Sequence, residues 1–217
     1  MARLVTVLFF YLAAIVLFIV ASSATKSGWW IVHVQWKTLT IPVSGSYIEF
    51  GTLSQRAFTK KGEPKANSTE LPSNIKPEGD VCVGFSILAF VTLLLVCLFL
   101  ILRAKIPKIA SDMKLGPLNV LALFGVLCGF ISWVTYTAAF VSYAGSTAFE
   151  DLVSLIFTSV VGPLLSFKKT IAPDYGLWTC VAGWVAASIG MILQRRYLRQ
   201  VLHHEHHELS AVKYQQL

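Results

Sequence analysis

Charged residues are scarce in this chain, and they are missing altogether from four long apolar stretches. Only 13% of the 217 residues are Asp, Glu, Lys or Arg, whereas about a quarter is usual in a soluble domain. The stretches at residues 4–21, 81–102, 118–143 and 176–193 contain no Asp, Glu, Lys, Arg or His. A helix needs roughly 20 apolar residues to cross a hydrocarbon core of about 30 Å. The scarcity of charge excludes an ordinary soluble domain and predicts four transmembrane spans.

The absence of ionisable groups from the spans also limits the chemistry. Such a group is costly inside a membrane and is retained mainly for function. The hydroxyl-bearing residues of the two inner spans include Ser86, Thr92, Ser132, Thr135, Tyr136 and Thr137. Since no nucleophile and base can be assembled in or beside the membrane, we predict that the protein is not an enzyme and uses no cofactor or metal. A small transporter or channel, with a water-filled path lined by these hydroxyls, is the alternative function.

Cysteine is absent between Ser22 and Val81, the longest segment outside the predicted spans, so no disulfide can form within that segment. All the cysteines lie in the spans: Cys82, Cys97, Cys128 and Cys180. Cys82 and Cys180 lie near the same ends of spans two and four, which leaves a disulfide open in an oxidising compartment. Buried free thiols are favoured, because unpaired cysteine packs as a small apolar residue.

Two clusters of basic residues indicate the orientation of the spans. They comprise Arg103, Lys105, Lys108 and Lys114 between spans two and three, and Arg195, Arg196 and Arg199 after span four. Short loops rich in Lys and Arg stay in the cytoplasm. We therefore predict a multi-pass membrane protein with both termini cytoplasmic; the plasma membrane is the expected location, with an organelle membrane as the alternative. The net charge of +7 is then assigned to a surface near anionic lipid and not to nucleic acid.

This orientation divides the chain, residues 1–217, into the parts of a single membrane domain. Residues 22–80 and 144–175 become extracellular loops one and two, residues 103–117 the cytoplasmic loop, and residues 194–217 the cytoplasmic tail. Arg3 and the small residues after the first span are also typical of a signal peptide. The uninterrupted apolar run Val5–Val20 is long for a signal peptide, so retention is favoured.

Loop one begins with the alternation typical of a strand. Its apolar positions Val32, Val34 and Trp36 alternate with His33, Gln35 and Lys37, the period of a half-buried strand. Turn residues follow and lead into residues 47–50, so a β-hairpin is predicted, with its apolar side on the bundle. Residues 54–80, rich in proline and polar residues, are predicted to be a mobile loop. The fold class is thus an all-α membrane protein, a four-transmembrane-helix bundle with a small extracellular β-hairpin or sheet.

Each loop carries one further local signal. Asn67-Ser68-Thr69 in loop one is a glycosylation acceptor, so we predict a glycan on Asn67. In loop two, Thr147 and Glu150 form a capping box ahead of an apolar stripe over residues 149–160. At about 1.5 Å per residue this helix is too short to cross the membrane. We expect it to extend span three and fold back on the outer leaflet, with a fifth span as the other interpretation.

Small residues recur at helical spacing in the last two spans. They are Gly125 and Gly129 in span three, and Ala182, Ala186 and Gly190 in span four. Such positions allow helix backbones to approach closely in a membrane. Packing of spans three and four within the chain is favoured, and a contact with a second copy or another protein is the alternative.

The tail contains a histidine-rich run, His203–Glu208. On a helix its spacing is compatible with zinc ligands, but a solvated, pH-sensitive tail is favoured because short histidine tracts without further ligands bind weakly.

The order of these features resembles the claudin-like four-span superfamily, which includes claudins, peripheral myelin proteins, stargazin-type channel subunits and clarins. In that superfamily a first-loop tryptophan precedes Gly-Leu-Trp and a disulfide pair. Here Trp30 precedes Phe50-Gly51-Thr52-Leu53, but the second tryptophan and the cysteines are absent. The segment Lys114–Trp133 is similar to the third span of clarin-type members, and Asp174–Leu193 to the fourth span of the superfamily.

The resemblance implies a non-enzymatic protein that contacts other membrane proteins or itself, as a junction or adhesion component or as an auxiliary subunit of a channel or receptor. Large amphipathic side chains suit such interfaces and the headgroup layer. The candidate partner-binding residues in loop one are therefore Trp29, Trp30, Trp36, Tyr47 and Phe50.

Overall fold

The computed structural model describes residues 2–24, 28–37, 44–59, 69–106, 115–152 and 166–215. Within these ranges, side chains are described except at residues 36, 37, 44–47, 56–59, 69, 70, 115, 166, 167 and 202–215. The long helices are α1 (Ala2–Ser23), α2 (Lys76–Lys105), α3 (Leu115–Ala144) and α4 (Tyr175–Gln215). All four are long and apolar enough to cross a membrane.

The helices contain the four apolar stretches and extend past them. Pro77 lies in the first turn of α2, where its missing N–H is not needed. The Asp174 carboxylate accepts a hydrogen bond of 2.7 Å from the Tyr175 amide at the start of α4, and a negative charge at this end interacts favourably with the helix dipole. The 41 residues of α4 continue well beyond residue 193, where span four was predicted to end.

The outside of the bundle is apolar, which indicates a lipid environment. Large apolar side chains stand exposed along all four helices, among them Phe9, Leu94, Val120 and Ile192, with exposed fractions of 64%, 51%, 67% and 50%. A soluble monomer rarely exposes so extended an apolar surface. In the interior, α1 packs against α2 and α4, and α3 packs against the same two helices.

The sheet sits at one end of this bundle, and we call that end the sheet end. Its strands are β1 (Trp30–Lys37), β2 (Ser44–Phe50), β3 (Ser54–Thr59), β4 (Thr69–Glu70) and β5 (Ser166–Pro173). They form one five-stranded sheet in the order β4-β3-β2-β1-β5, and every neighbouring pair is antiparallel. The hairpin predicted from the sequence is the β1–β2 pair, in which Val32 lies opposite Ile48.

The sheet is larger than the predicted hairpin, and the interpretation of residues 54–80 as a mobile loop is wrong where β3 and β4 lie. A turn closed by the Gly51 amide and the Ser54 carbonyl, 2.8 Å apart, leads directly into β3. The prolines that suggested a loop lie outside this strand. The fifth strand comes from loop two, where no strand was predicted.

The register of β1 agrees with the alternation of its sequence. Val32 and Val34 are fully buried on the bundle side, whereas His33 and Gln35 are exposed. The prediction for this strand is confirmed at these four positions, and the side chain of Trp36 lies outside the described residues. In loop two, residues 147–152 are helical, and the rest of the predicted helix also lies outside the described residues.

Candidate functional site: the sheet and its junction with the bundle

An aromatic cluster joins the sheet to the bundle. The Trp29 ring meets Tyr136 edge-on at 5.5 Å between ring centroids. The Trp30 ring stacks on Phe140 at 5.0 Å, and Phe50 meets Phe140 at the same distance. Because these rings are buried, they fix the sheet to α3 in one position.

Three predicted partner contacts therefore lie in the interior of the chain. Trp29, Trp30 and Phe50 have exposed fractions of 0%, 7% and 0%, so they have almost no surface to offer a partner. The sequence shows that these residues are large and amphipathic, but such residues serve internal and external interfaces alike. The side chains of Trp36 and Tyr47 lie outside the described residues, and their predicted role stays a prediction.

Hydrogen bonds hold the same junction at its polar atoms. The indole N–H of Trp29 donates to the Ala21 carbonyl at 3.2 Å, and the Tyr136 hydroxyl donates to the Gly51 carbonyl. The Asp174 amide donates to the Trp29 carbonyl at 3.0 Å. Each bond connects a loop or sheet residue to a different part of the chain, so the start of β1 is fixed relative to α1 and α4.

Two glycines allow β1 and α4 to approach each other. The Gly176 amide donates to the Gly28 carbonyl at 2.5 Å, and Gly28 has a φ of +92°, a conformation that favours glycine. A methyl group on Gly28 would overlap the Tyr175 ring. The first turn of α4 therefore rests directly on the residues that lead into β1.

The turn between β2 and β3 rests on α2 in a similar way. A methyl group on Gly79 would overlap the Thr52 carbonyl oxygen and would lie 3.1 Å from Leu71 Cδ1. No flexible side chain can move aside here, because the obstacle is backbone. The turn between β2 and β3 therefore packs directly against the α2 backbone at Gly79.

Lys169 attaches β5 to the end of α3. Its ammonium group donates to the Ala144 carbonyl at 2.5 Å and lies 4.0 Å from the Glu150 carboxylate. It also lies 5.0 Å from the centroid of the buried Phe149 ring. A cation at a helix C-terminus interacts favourably with the helix dipole, so this one side chain links the edge strand to the bundle.

The side of the sheet that faces away from the bundle is polar. In the antiparallel register, His33 lies opposite Thr170 and Gln35 lies opposite Lys168, and all four residues are exposed. Sequence reasoning missed Lys168 and Thr170, because their place depends on the pairing of β5 with a distant strand. We call these four residues the outward face.

Three hydroxyls of spans two and three, those of Ser86, Ser132 and Thr135, bond within the bundle. Ser132 Oγ lies 2.6 Å from Ser86 Oγ and donates to the Cys82 carbonyl at 2.9 Å. The Thr135 hydroxyl donates to the Ile131 carbonyl of its own helix at 2.7 Å. The sulfurs of Cys82 and Cys180 lie 3.3 and 3.7 Å from the Ser132 hydroxyl, and both cysteines are free and buried.

A second polar group lies toward the other end of the bundle. The Tyr11 hydroxyl donates to Gln194 Oε1 at 2.7 Å, and Gln194 Nε2 donates to Asn119 Oδ1 at 3.1 Å. Tyr11 and Gln194 are fully buried. The group connects α1, α3 and α4, and no feature of the sequence distinguished it in advance.

The small residues of spans three and four face different neighbours from those we expected. A methyl group on Gly125 would lie 3.1 Å from Leu93 of α2, and one on Gly190 would lie 2.9 Å from the Tyr11 ring of α1. A methyl group on Gly129 would overlap Phe18, also of α1. Ala186 is partly buried and Ala182 is exposed. The glycines therefore pack spans three and four against α1 and α2 within the chain.

The last predicted sites are the glycan acceptor of loop one and the histidine-rich run of the tail. Asn67 and the side chains of His203–Glu208 lie outside the described residues, although the backbone of the histidine run is part of α4. Where side chains are described, no group of three or more His, Cys, Asp or Glu is positioned to hold a metal ion. In comparisons with known proteins, the chain matches no family model and no curated protein.

Proposed function

We propose that this chain is a non-enzymatic, claudin-like membrane protein that acts through protein–protein contacts of its sheet. In this proposal it is a junction or adhesion component, or an auxiliary subunit of a channel or receptor. The observation that carries the proposal is the outward face: a polar surface on a sheet that is fixed to a bundle of four apolar helices.

The attachment of the sheet supports a role in binding. A two-stranded hairpin is marginally stable alone in water, but this sheet has five strands and an aromatic cluster beneath it. A surface held in one conformation loses little conformational entropy when a partner binds. Four exposed polar side chains on adjacent strands suit a contact that can form and separate between two membrane proteins.

The distribution of basic residues supports an extracellular sheet. Lys105 ends α2, and Arg195, Arg196 and Arg199 are exposed on α4, all far along their helices from the sheet end. Because cytoplasmic flanks carry the excess of Lys and Arg, this placement supports an extracellular sheet and two cytoplasmic termini.

A photo-crosslinking experiment in intact cells tests the proposal. A crosslinker at Gln35 or Thr170, which share the outward face, is expected to capture the same protein in each case. The matched control is Val120, which is exposed on α3 and is expected to capture lipid or unrelated proteins. Capture of lipid alone from both outward positions would contradict the proposed function.

No observation on the described residues favours the transporter or channel alternative. Of the hydroxyls that would line its path, those of Ser86, Ser132 and Thr135 bond to one another or to the backbone. Labelling of cysteine variants at Ser132 and Thr135 from the aqueous side remains the direct test of that alternative.

A further inference from the structure

Three buried oxygen atoms at the junction of the sheet with α2 have no hydrogen-bond partner in the protein. They are Thr52 Oγ1, Gln55 Oε1 and Glu78 Oε2. Thr52 and Gln55 have exposed fractions of 0% and 6%. Buried polar atoms are almost always paired with protein, water or an ion, so an unpaired group of this kind requires an explanation.

The three residues lie on elements that touch. The Gly79 backbone is in contact with the Thr52 carbonyl, and Glu78 is the residue before Gly79. Gln55 follows Thr52 across the tight turn that the Gly51–Ser54 hydrogen bond closes. Gln55 lies opposite Phe50 in the β2–β3 pair. The ring of Phe50 is buried against α3. Thr52 therefore lies beside the first turn of α2, which carries Glu78, and Gln55 follows three residues after Thr52 on the other side of the tight turn.

The chemistry of the unpaired atoms is uniform. A carboxylate, an amide carbonyl and a hydroxyl are all oxygen ligands, and two of the three atoms can only accept. The other unpaired buried atoms on the described side chains are the indole nitrogens of Trp30 and Trp133 and the lone hydroxyl of Thr137. Oxygen-only sites with a carboxylate are what hard cations such as Ca²⁺ prefer.

We propose that this junction binds a hard cation, with Glu78 supplying the negative charge and Thr52 and Gln55 supplying neutral oxygens. The bound ion joins the turn after β2 to the first turn of α2. Its positive charge offsets the negative charge of the buried Glu78 carboxylate, which a neutral water molecule cannot do. The ion is therefore part of what holds the sheet in position, and its removal loosens the sheet end of the molecule.

The test is the thermal unfolding of the full-length protein in detergent, after treatment with a chelator and transfer to choline chloride. Titration with Ca²⁺, Mg²⁺ or Na⁺ is expected to raise the midpoint temperature saturably for at least one ion, and the separate titrations identify which. Choline chloride at matched ionic strength controls for general screening. If none of the ions shifts the midpoint beyond choline, the junction holds none of these cations and the proposal is wrong.

Matched variants locate the effect. Glu78→Gln keeps the shape and removes the charge, and it is expected to abolish the ion-dependent shift. Asp80→Asn is the control, because Asp80 is exposed on the same helix, and it is expected to retain the shift. An equal shift in the wild type and in Glu78→Gln would overturn the assignment.

A second variant keeps the test decisive if Glu78→Gln does not fold. Thr52→Val preserves the side-chain shape and removes one neutral ligand. It is expected to raise the ion concentration at half-effect by at least about tenfold, a loss that even outer partners of a metal site produce. An unchanged half-effect concentration would exclude Thr52 from the site and overturn the proposed ligand set.

Discussion

Gly79 shows how a single residue can determine the position of the sheet. Alanine at this position would place a methyl group on the Thr52 carbonyl oxygen. Because both groups are backbone-bound, the turn or the helix must move, which costs about 1–3 kcal/mol or more. Gly79→Ala is therefore expected to lower the midpoint of thermal unfolding in detergent and the yield of folded protein.

Gly84 provides the control for that substitution. It lies on the same helix, and a methyl group there would have no atom within 4 Å. Gly84→Ala is expected to leave stability unchanged or slightly raised, since alanine favours a helix by up to about 1 kcal/mol. Equal midpoints for the two variants would show that the turn does not rest on Gly79.

The two sides of β1 permit an equally direct comparison. Val34→Thr places a hydroxyl in the fully buried layer between sheet and bundle, at a cost of about 1–3 kcal/mol. Gln35→Thr introduces the same residue on the exposed side, where changes are usually within about 0.5 kcal/mol. Unfolding midpoints in the reverse order would mean that the strand register is shifted by one residue.

The sequence predicts some of these residue positions and not others, for a physical reason. The alternation around Val32 and Val34 is local, so it reveals which side of the strand is buried. Whether Trp29 and Trp30 are buried or exposed depends on their contacts with aromatic rings of α3, which lie far along the chain. The unpaired oxygens of Thr52, Gln55 and Glu78 likewise become visible only when the turn meets α2.

At the scale of elements, β5 depends on Lys169 for its attachment to α3. Lys169→Met retains most of the side-chain stem but loses the hydrogen bond to Ala144 and the ion pair with Glu150. With the side chain 24% exposed, the expected loss is about 1 kcal/mol. Hydrogen exchange of the β5 amides is expected to become faster.

Lys168 is the neighbouring control, because it is exposed on the opposite side of the same strand. Lys168→Met is expected to leave the exchange of β5 unchanged. If both variants accelerated exchange to the same extent, the positive charge of the strand, and not the specific contacts of Lys169, would be what stabilises β5.

The close packing of α1 on α4 depends on the small size of Gly190. Gly190→Leu would force a large side chain onto the Tyr11 ring, which lies 2.9 Å from the position of an added methyl group. Overpacking of this kind costs about 1–3 kcal/mol. Ala182→Leu, on an exposed position of the same helix, is expected to be tolerated. The check is the fraction of monodisperse protein recovered in detergent, and equal recovery would place Gly190 outside the contact.

The helices were predictable because each apolar stretch is continuous in sequence. The β1–β2 hairpin was predictable because alternation and turn residues lie side by side. β5 was not, because Lys168 and Lys169 interrupt its apolar character and its partner β1 is distant in the chain. Charged residues, especially lysine, are typical of edge strands. The lysines that make β5 difficult to predict from sequence are therefore consistent with its position at the edge of the sheet.

At the scale of the whole molecule, both segments that flank the inner helices contribute to one sheet at one end of the bundle. The proposed orientation then requires that this entire end be extracellular. We expect Asn67 to carry a glycan, so enzymatic deglycosylation should change the gel mobility of the wild type and not that of Asn67→Gln. A tag at Leu217 that antibodies reached on intact cells would contradict this orientation.

The length of α4 has a mechanical consequence. At about 1.5 Å per residue, its 41 residues form a rod roughly 60 Å long, about twice the thickness of a hydrocarbon core. Its first turn is bonded to the backbone that enters β1. A tilt of about 10° at the sheet would therefore move the far end by about 10 Å, if the helix stays straight. In the proposed orientation, a tilt imposed on the sheet outside the cell would therefore be transmitted by one continuous helix to the cytoplasmic end of the molecule.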